Sequence, residues 1–330
     1  MEYIRDMRSH PNYKPNTRHC MYGQDADLIM LALATHEPHF TLLREIVDFG
    51  SGSIGKKNEN AFKAVTKFTK TSDFQLLHLS ILREYIGLEF RRIDDNISST
   101  FNLERIIDDW IFLTFLVGND FLPHMASLDI GDGAFDLLFD TYKEQQILWG
   151  KGEYLTREGE IADMSRLEKY LSIIGAAEND ILEAREVADN KYLQKKRKWD
   201  KRDGKPVGPS DEELMIIEES QQNNYMSMID GIISQHGVNG NFVDGWSIPS
   251  HGKKDFKGRY YFEKLKFTPL DIDKHHALRK AYLEGLVWCL AYYTKGCVSW
   301  GWFFPFHYGK ISSVSFTTYW NTFDCVILFP

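Results

Sequence analysis

The stretch RHCMYGQDADLIMLALATHEPHFTLLREIV, residues 18–47, carries most of the information about fold. RHCMYG (18–23) is a short apolar segment that stops at Gly23, consistent with a buried strand. DLIMLALATH then changes to a helical pattern, with Asp27 placed to cap its first turn. HFTLLREIV (39–47) returns to strand chemistry. Strand, helix and strand follow in order, and Asp25 and Asp27 fall just past the carboxyl end of the first strand. Ligands of open α/β sheets are held at that edge. Two carboxylates there repel, and a hard divalent cation such as Mg²⁺ or Mn²⁺ relieves the repulsion. The competing reading makes Asp25 a turn residue and Asp27 an ordinary helix cap.

Outward from this unit, Met1–Met7 read as the tail of a helix and HPNYKPN as a loop. Residues 48–72 read as an exposed polar loop. FQLLHLSILREYIGLEF (74–90) starts extended and ends helical. NLERIIDDWIFLTFLVG (102–118) is a helix that becomes apolar all round, hence buried, and stops at Gly118. Helices are expected over 132–145, in MSRLEKYLSIIG and over 275–294, and GEYLTREGEI reads as a turn between short extended flanks. KYLQKKRKWDKR (191–202) holds seven basic residues in twelve and predicts a long charged helix running into a mobile linker, DGKPVGPSDEE. That run could follow a phosphate backbone or be a solvated helical face.

Composition sets bounds. The 330 residues are 43% hydrophobic and 14% aromatic, enough for a real core, and the net charge of −8 excludes a uniformly basic coat. The four cysteines are scattered with no CxxC pair, which argues against a zinc knuckle or disulfide framework. No leader-like or membrane-length apolar run is visible, so a soluble intracellular protein is expected.

Asp120, in FLVGNDFLPH, lies in a loop between apolar runs. It needs a metal, a cation or backbone N–H partners, or else forms a simple Asx-turn. Asp108 and Asp109 lie inside a helix, where one is expected to face solvent or pair with Arg105. His36 and His39 flank Pro38, which removes the helical geometry of a zinc helix, so both read as loop residues. His124 could bind phosphate or pack. YYTKGCVSWGWFFPFHY (292–308) has eight aromatics in seventeen residues, suited either to base stacking or to a core.

Residues 15–45, 74–86, 103–130, 154–161 and 282–308 together, in this order, resemble successive blocks of the XRN 5′→3′ exoribonucleases. RHCMYGQDAD and FQLLHLSILREY look closest to the cytoplasmic, Pacman-type branch. The nuclear branch carries a Cys/His knuckle after LLRE, and residues 48–72 contain neither residue type. The resemblance implies an α/β fold: the C-terminal part of a PIN/flap-nuclease-like core, followed by a mostly helical conserved region. It divides the chain into the core (1–150), a helical extension with the basic run and charged linker (151–224), a helical region with the aromatic block (225–313) and a tail unlike the family (314–330).

It also implies a two-metal site, usually Mg²⁺, that hydrolyses single-stranded RNA bearing a 5′-monophosphate in cytoplasmic mRNA decay. By motif position Asp25, Asp27 and Asp120 match metal-cluster acids, and Trp300 or Trp302 matches a Trp that stacks on RNA. Met1 aligns inside a block that in the family reads Glu-x-Glu and then His-Lys-Ile-Met. The remaining metal carboxylates, the first strands and the 5′-phosphate pocket are therefore expected upstream, with a truncated gene model or intron read-through at the two ends. Val298 stands where the family commonly has Pro, and HYGKISS departs from its usual HYAP. The expectation for this chain alone is little or no hydrolysis; the alternative is a non-catalytic RNA-binding or scaffold remnant.

Overall fold

The computed structural model describes residues 1–46, 74–91, 101–150, 152–204, 208–243, 246 and 255–309. The polar stretch 48–72, the centre of the expected linker and the 314–330 tail lie outside the described residues. The chain forms two compact units.

The first unit comprises Met1–Ile111, Thr156–Glu160 and Leu290–Val298. Helix α1 (Glu2–Ser9) precedes β1 (His19–Tyr22), α2 (Asp27–Leu33) and β2 (Phe40–Glu45); β1 and β2 are parallel, with His19 opposite Phe40 and Tyr22 opposite Leu43. β1 lies at the edge of its sheet with Cys20 and Tyr22 exposed, which corrects the expected buried strand. β3 (Phe74–His78) adds antiparallel on the other side of β2 and passes directly into α3 (Leu79–Phe90). β2 is therefore central, and its Phe40 and Leu42 are buried with Ala32, Leu33, Leu79, Ile86 and Phe90. Each such aliphatic or aromatic side chain contributes about 1.5–3 kcal/mol by leaving water. α4 (Leu103–Thr114) starts where the Asn102 side chain accepts from the N–H groups of Glu104 and Arg105 at 3.0 and 3.3 Å. The short hairpin strands β4 (Thr156–Arg157) and β5 (Glu160–Ile161) follow the turn expected from GEYLTREGEI.

The second unit comprises Phe112–Leu155, Ile161–Cys289 and residues from Ser299 onward, and is helical. It contains α5 (Ala134–Trp149), α6 (Met164–Ala176), α7 (Glu178–Arg202), α8 (Asp211–His236), the short α9 (Phe256–Tyr260) and most of α10 (Ile272–Thr294). Its core takes Leu138, Tyr142, Leu167, Tyr170, Leu171 and Ile174, and Tyr170 donates its hydroxyl to the Leu138 carbonyl at 2.8 Å. The linker expectation is corrected at α8. Ser210 and Glu213 make a reciprocal capping box, so a helix starts inside PSDEE and runs on to His236. Among the described residues no helix is long and apolar enough to cross a membrane.

Candidate functional site

At the carboxyl end of β1 the chain turns through Gly23, where a Cβ would collide with the Leu28 side chain. The turn is tied to the end of β2: the Tyr22 hydroxyl donates to Glu45 Oε1 at 2.6 Å, Gln24 Nε2 donates to the Glu45 carbonyl at 3.1 Å, and Arg44 donates to the Gln24 carbonyl. Asp25 is exposed, and its Oδ1 accepts the Asp27 N–H at 3.1 Å. Asp25 thus supplies the turn-closing acceptor, and Ala26 occupies the cap position expected for Asp27. Asp27 is half-buried in the first turn of α2. Among the described residues no group of three or more His, Cys, Asp or Glu is placed to hold a metal ion.

Asp120 lies in the second unit. Gly118 has a φ of 97°, and a Cβ there would lie 2.8 Å from the His124 nitrogen, so only glycine permits this turn. The Asx-turn belongs to Asn119, not Asp120: Asn119 Oδ1 accepts from the N–H groups of Phe121 and Leu122, both at 2.9 Å. Asp120 is left exposed, with no hydrogen bond or ion pair among the described residues. His124 bonds locally, its Nδ1–H donating to the Met125 carbonyl oxygen at 2.9 Å.

The aromatic block splits into packed and exposed rings. Trp302 stacks on the buried Trp288 at 5.1 Å and 23°, above Gly285, whose missing Cβ would come within 3.0 Å of the Trp302 ring. Trp288 itself donates Nε1–H to the Ser299 carbonyl at 3.0 Å and meets Phe121 edge-on at 4.9 Å. Phe304 and Phe306 pack against the Ala126–Tyr261–Phe267–Leu278 cluster. Trp300 and Phe303 point the other way, 90% and 73% exposed. Of the two stacking candidates, Trp302 is part of a packed wall and Trp300 offers a free indole face.

Sequence reasoning missed a second acidic constellation, in the first unit. His36, at a left-handed φ of 55°, sits between Glu104 at 2.5 Å and Asp108 at 2.9 Å, and Arg83 also pairs with Glu104. Burial alone would depress the imidazolium; the two carboxylates outweigh it and hold its pKa at about 9. Glu104 is correspondingly held below the usual range, burial opposing the pull of His36 and Arg83. Glu37 is buried and accepts the Tyr13 hydroxyl at 2.6 Å, which raises the phenol's pKa. Asp109, wholly buried, accepts both the N–H (2.7 Å) and the hydroxyl (2.6 Å) of Thr156. Neither acid of the Asp108–Asp109 doublet is therefore left to solvent. The signal for Asp109 was present: it lies three residues after Ile106, on an apolar helical face.

A family profile described as "XRN 5'-3' exonuclease N-terminus" matches residues 1–46, and one described as "Xrn1 helical domain" matches residues 100–316. The chain is 34% identical over 398 residues to 5′-3′ exoribonuclease 1 of Schizosaccharomyces pombe, covering 95% of this chain and 28% of that protein. It is 36% identical over 325 residues to 5′-3′ exoribonuclease 1 of Homo sapiens, covering 95% of this chain and 18% of the human protein. It is 32% identical over 358 residues to the 5′-3′ exoribonuclease 2 homolog of Drosophila melanogaster, covering 95% and 38% respectively. The chain thus spans 18–38% of the length of these curated relatives, and relatives named 1 and 2 match at comparable identity. The Asp25–Asp27 edge, the Asp120 loop and the aromatic block all fall inside the matched segments, and the chain belongs to the XRN 5′-3′ exonuclease family.

Proposed function

We propose that this chain is part of a 5′→3′ exoribonuclease that hydrolyses single-stranded RNA from a 5′-monophosphate end in cytoplasmic RNA turnover. The observation that carries the reading is the state of the three motif acids. Asp25 and Asp120 are exposed, the Asp120 loop is closed by Asn119, and Asp27 follows two residues after Asp25, whose Oδ1 accepts its N–H. Exposed carboxylates on loops, as Asp25 and Asp120 are, are available to a ligand. Trp300 is the proposed stacking surface for a base. The reading includes Mg²⁺ or Mn²⁺ as cofactor, with Asp25, Asp27 and Asp120 as part of its ligand shell. Because these three do not complete that shell, the chain alone is expected to turn over little RNA.

One observation favours a second reading, a non-catalytic RNA-binding remnant: Trp300 is 90% exposed and offers a ring face to a base. The test is mononucleotide release from 5′-monophosphorylated RNA in Mg²⁺, against 5′-hydroxyl RNA and against EDTA. In the complete protein, release that requires the 5′-monophosphate and is abolished by EDTA supports the nuclease reading. No release, with RNA binding that survives EDTA, moves the assignment to the second. Robust release by this chain alone overturns the partial-shell account.

A further inference from the structure

Helix α7 presents two different faces. Asn190 donates to Glu218 Oε1 of α8 at 3.0 Å, and Arg197 donates to the Pro209 carbonyl at 2.7 Å, just before α8 begins. These two residues are seven apart, two turns, and mark the side of α7 turned to α8. At about 100° per residue, Tyr192, Lys195, Trp199 and Arg202 lie roughly 140–200° round the helix from Arg197, on the opposite side. All four are exposed, Tyr192 by 59% and Trp199 by 57%. Lys191, Lys195, Lys196 and Lys198 are exposed on or beside this face and have no ion pair among the described residues. The nearby acids Asp189 and Asp200 fall on the flanks, within about 80° of Arg197, and Asp203, at the end of the helix, pairs with Arg202 at 3.5 Å.

We propose that this outer face of α7 is a contact for single-stranded RNA that does not use Trp300: Tyr192 and Trp199 stack on bases while the surrounding lysines meet phosphates. Two ring platforms two turns apart, about 10.5 Å along the axis, with cations between and around them, match a ligand that alternates flat apolar surface and negative charge. An acidic peptide would need the cations but not the two exposed rings. A helical protein partner would need an aliphatic seam, and this face has none. The choice of RNA rests on the proposed function; the two-faced geometry of α7 does not.

The test is anisotropy of a 3′-labelled, unstructured, U-rich 20-nucleotide RNA with the full chain in EDTA, where no hydrolysis intervenes. Trp199→Ala and Tyr192→Ala are each expected to weaken binding about fivefold or more. Changing Lys191, Lys195, Lys196 and Lys198 to Gln is expected to flatten the slope of log K against log salt by up to about 2.8. Every position is on the surface, so far-UV circular dichroism should stay unchanged. Ultraviolet cross-linking of a 4-thiouridine RNA should place adducts on the peptide containing residues 191–202. Affinity and salt slope equal to wild type in all these variants overturn the proposal. So does no RNA binding by the wild-type chain, or capture of a Glu-rich peptide with the same variant dependence while RNA is ignored. In the complete protein, absence of hydrolysis in Mg²⁺, with RNA binding still dependent on α7, defeats the nuclease reading and leaves this inference standing; normal hydrolysis there, with α7 variants binding as wild type, does the reverse.

Discussion

Two acidic regions of the first unit make opposite use of the same side chain. Asp25 is exposed at the rim of the sheet and accepts one local N–H; Asp109, within α4, is wholly buried and accepts two hydrogen bonds from Thr156. Around Asp109 the pattern repeats: Glu37 takes Tyr13, and Glu104 and Asp108 take His36. Charge buried this way is compatible with the folded state only because it is paired. The contrast teaches that acid content alone says nothing about function; the number of internal partners does. Rim acids have spare lone pairs for a ligand, and interior acids have spent theirs on the fold.

The comparison breaks first on activity. In the complete protein, Asp120→Ala should reduce RNA turnover by about a hundredfold or more while leaving the melting temperature and RNA affinity in place. An unchanged turnover rate removes Asp120 from the site. On the interior side, Asp109→Ala strands the Thr156 N–H and hydroxyl and should lower stability by about 2–4 kcal/mol in urea unfolding. A loss no larger than that of Asp25→Ala, expected within about 0.5 kcal/mol of wild type, would erase the distinction.

The His36 pair sharpens it through pH. A folded-state pKa of about 9, above the ordinary 6.5, means that His36 contributes fully below about pH 6.5 and that the contribution is lost as pH rises through 9. Glu104 is 44% exposed, which discounts the pairing to roughly 2 kcal/mol. His36→Asn, tolerated at a left-handed φ, should therefore destabilise the protein at pH 6.5 and scarcely at pH 10, as read by unfolding at both pH values. An equal effect at the two would deny the pairing. The smallest expected effect is on the aromatic pair. Trp302→Ala should cost about 2 kcal/mol of stability through its lost stack on Trp288, whereas Trp300→Ala should leave stability within about 0.5 kcal/mol and weaken RNA binding.

Much of the fold was legible from local pattern. Strand, QDAD turn, helix and strand followed from alternation and apolar period, and the buried helix ending at Gly118 followed from its continuous apolar run. α8 was hidden because the Gly and Pro residues before it read as a linker, although the Ser210–Glu213 capping box was there to be seen. The candidate acids owe their selection to the family resemblance, since spacing alone suits a turn equally well. The interior acids escaped notice for a physical reason: Thr156 and Glu104 lie 47 and 68 residues from Asp109 and His36, and only the fold brings them together.

The division between rim and interior acids is tested most directly by one assay of two variants in the complete protein. Mononucleotide release from 5′-monophosphorylated RNA in Mg²⁺ is followed for Asp25→Ala and Asp109→Ala, both held well below their melting temperatures. The account predicts that Asp25→Ala abolishes release with the fold intact, and that Asp109→Ala retains it despite reduced stability. Release by Asp25→Ala at the wild-type rate, or equal loss in both variants while both remain folded, would contradict it.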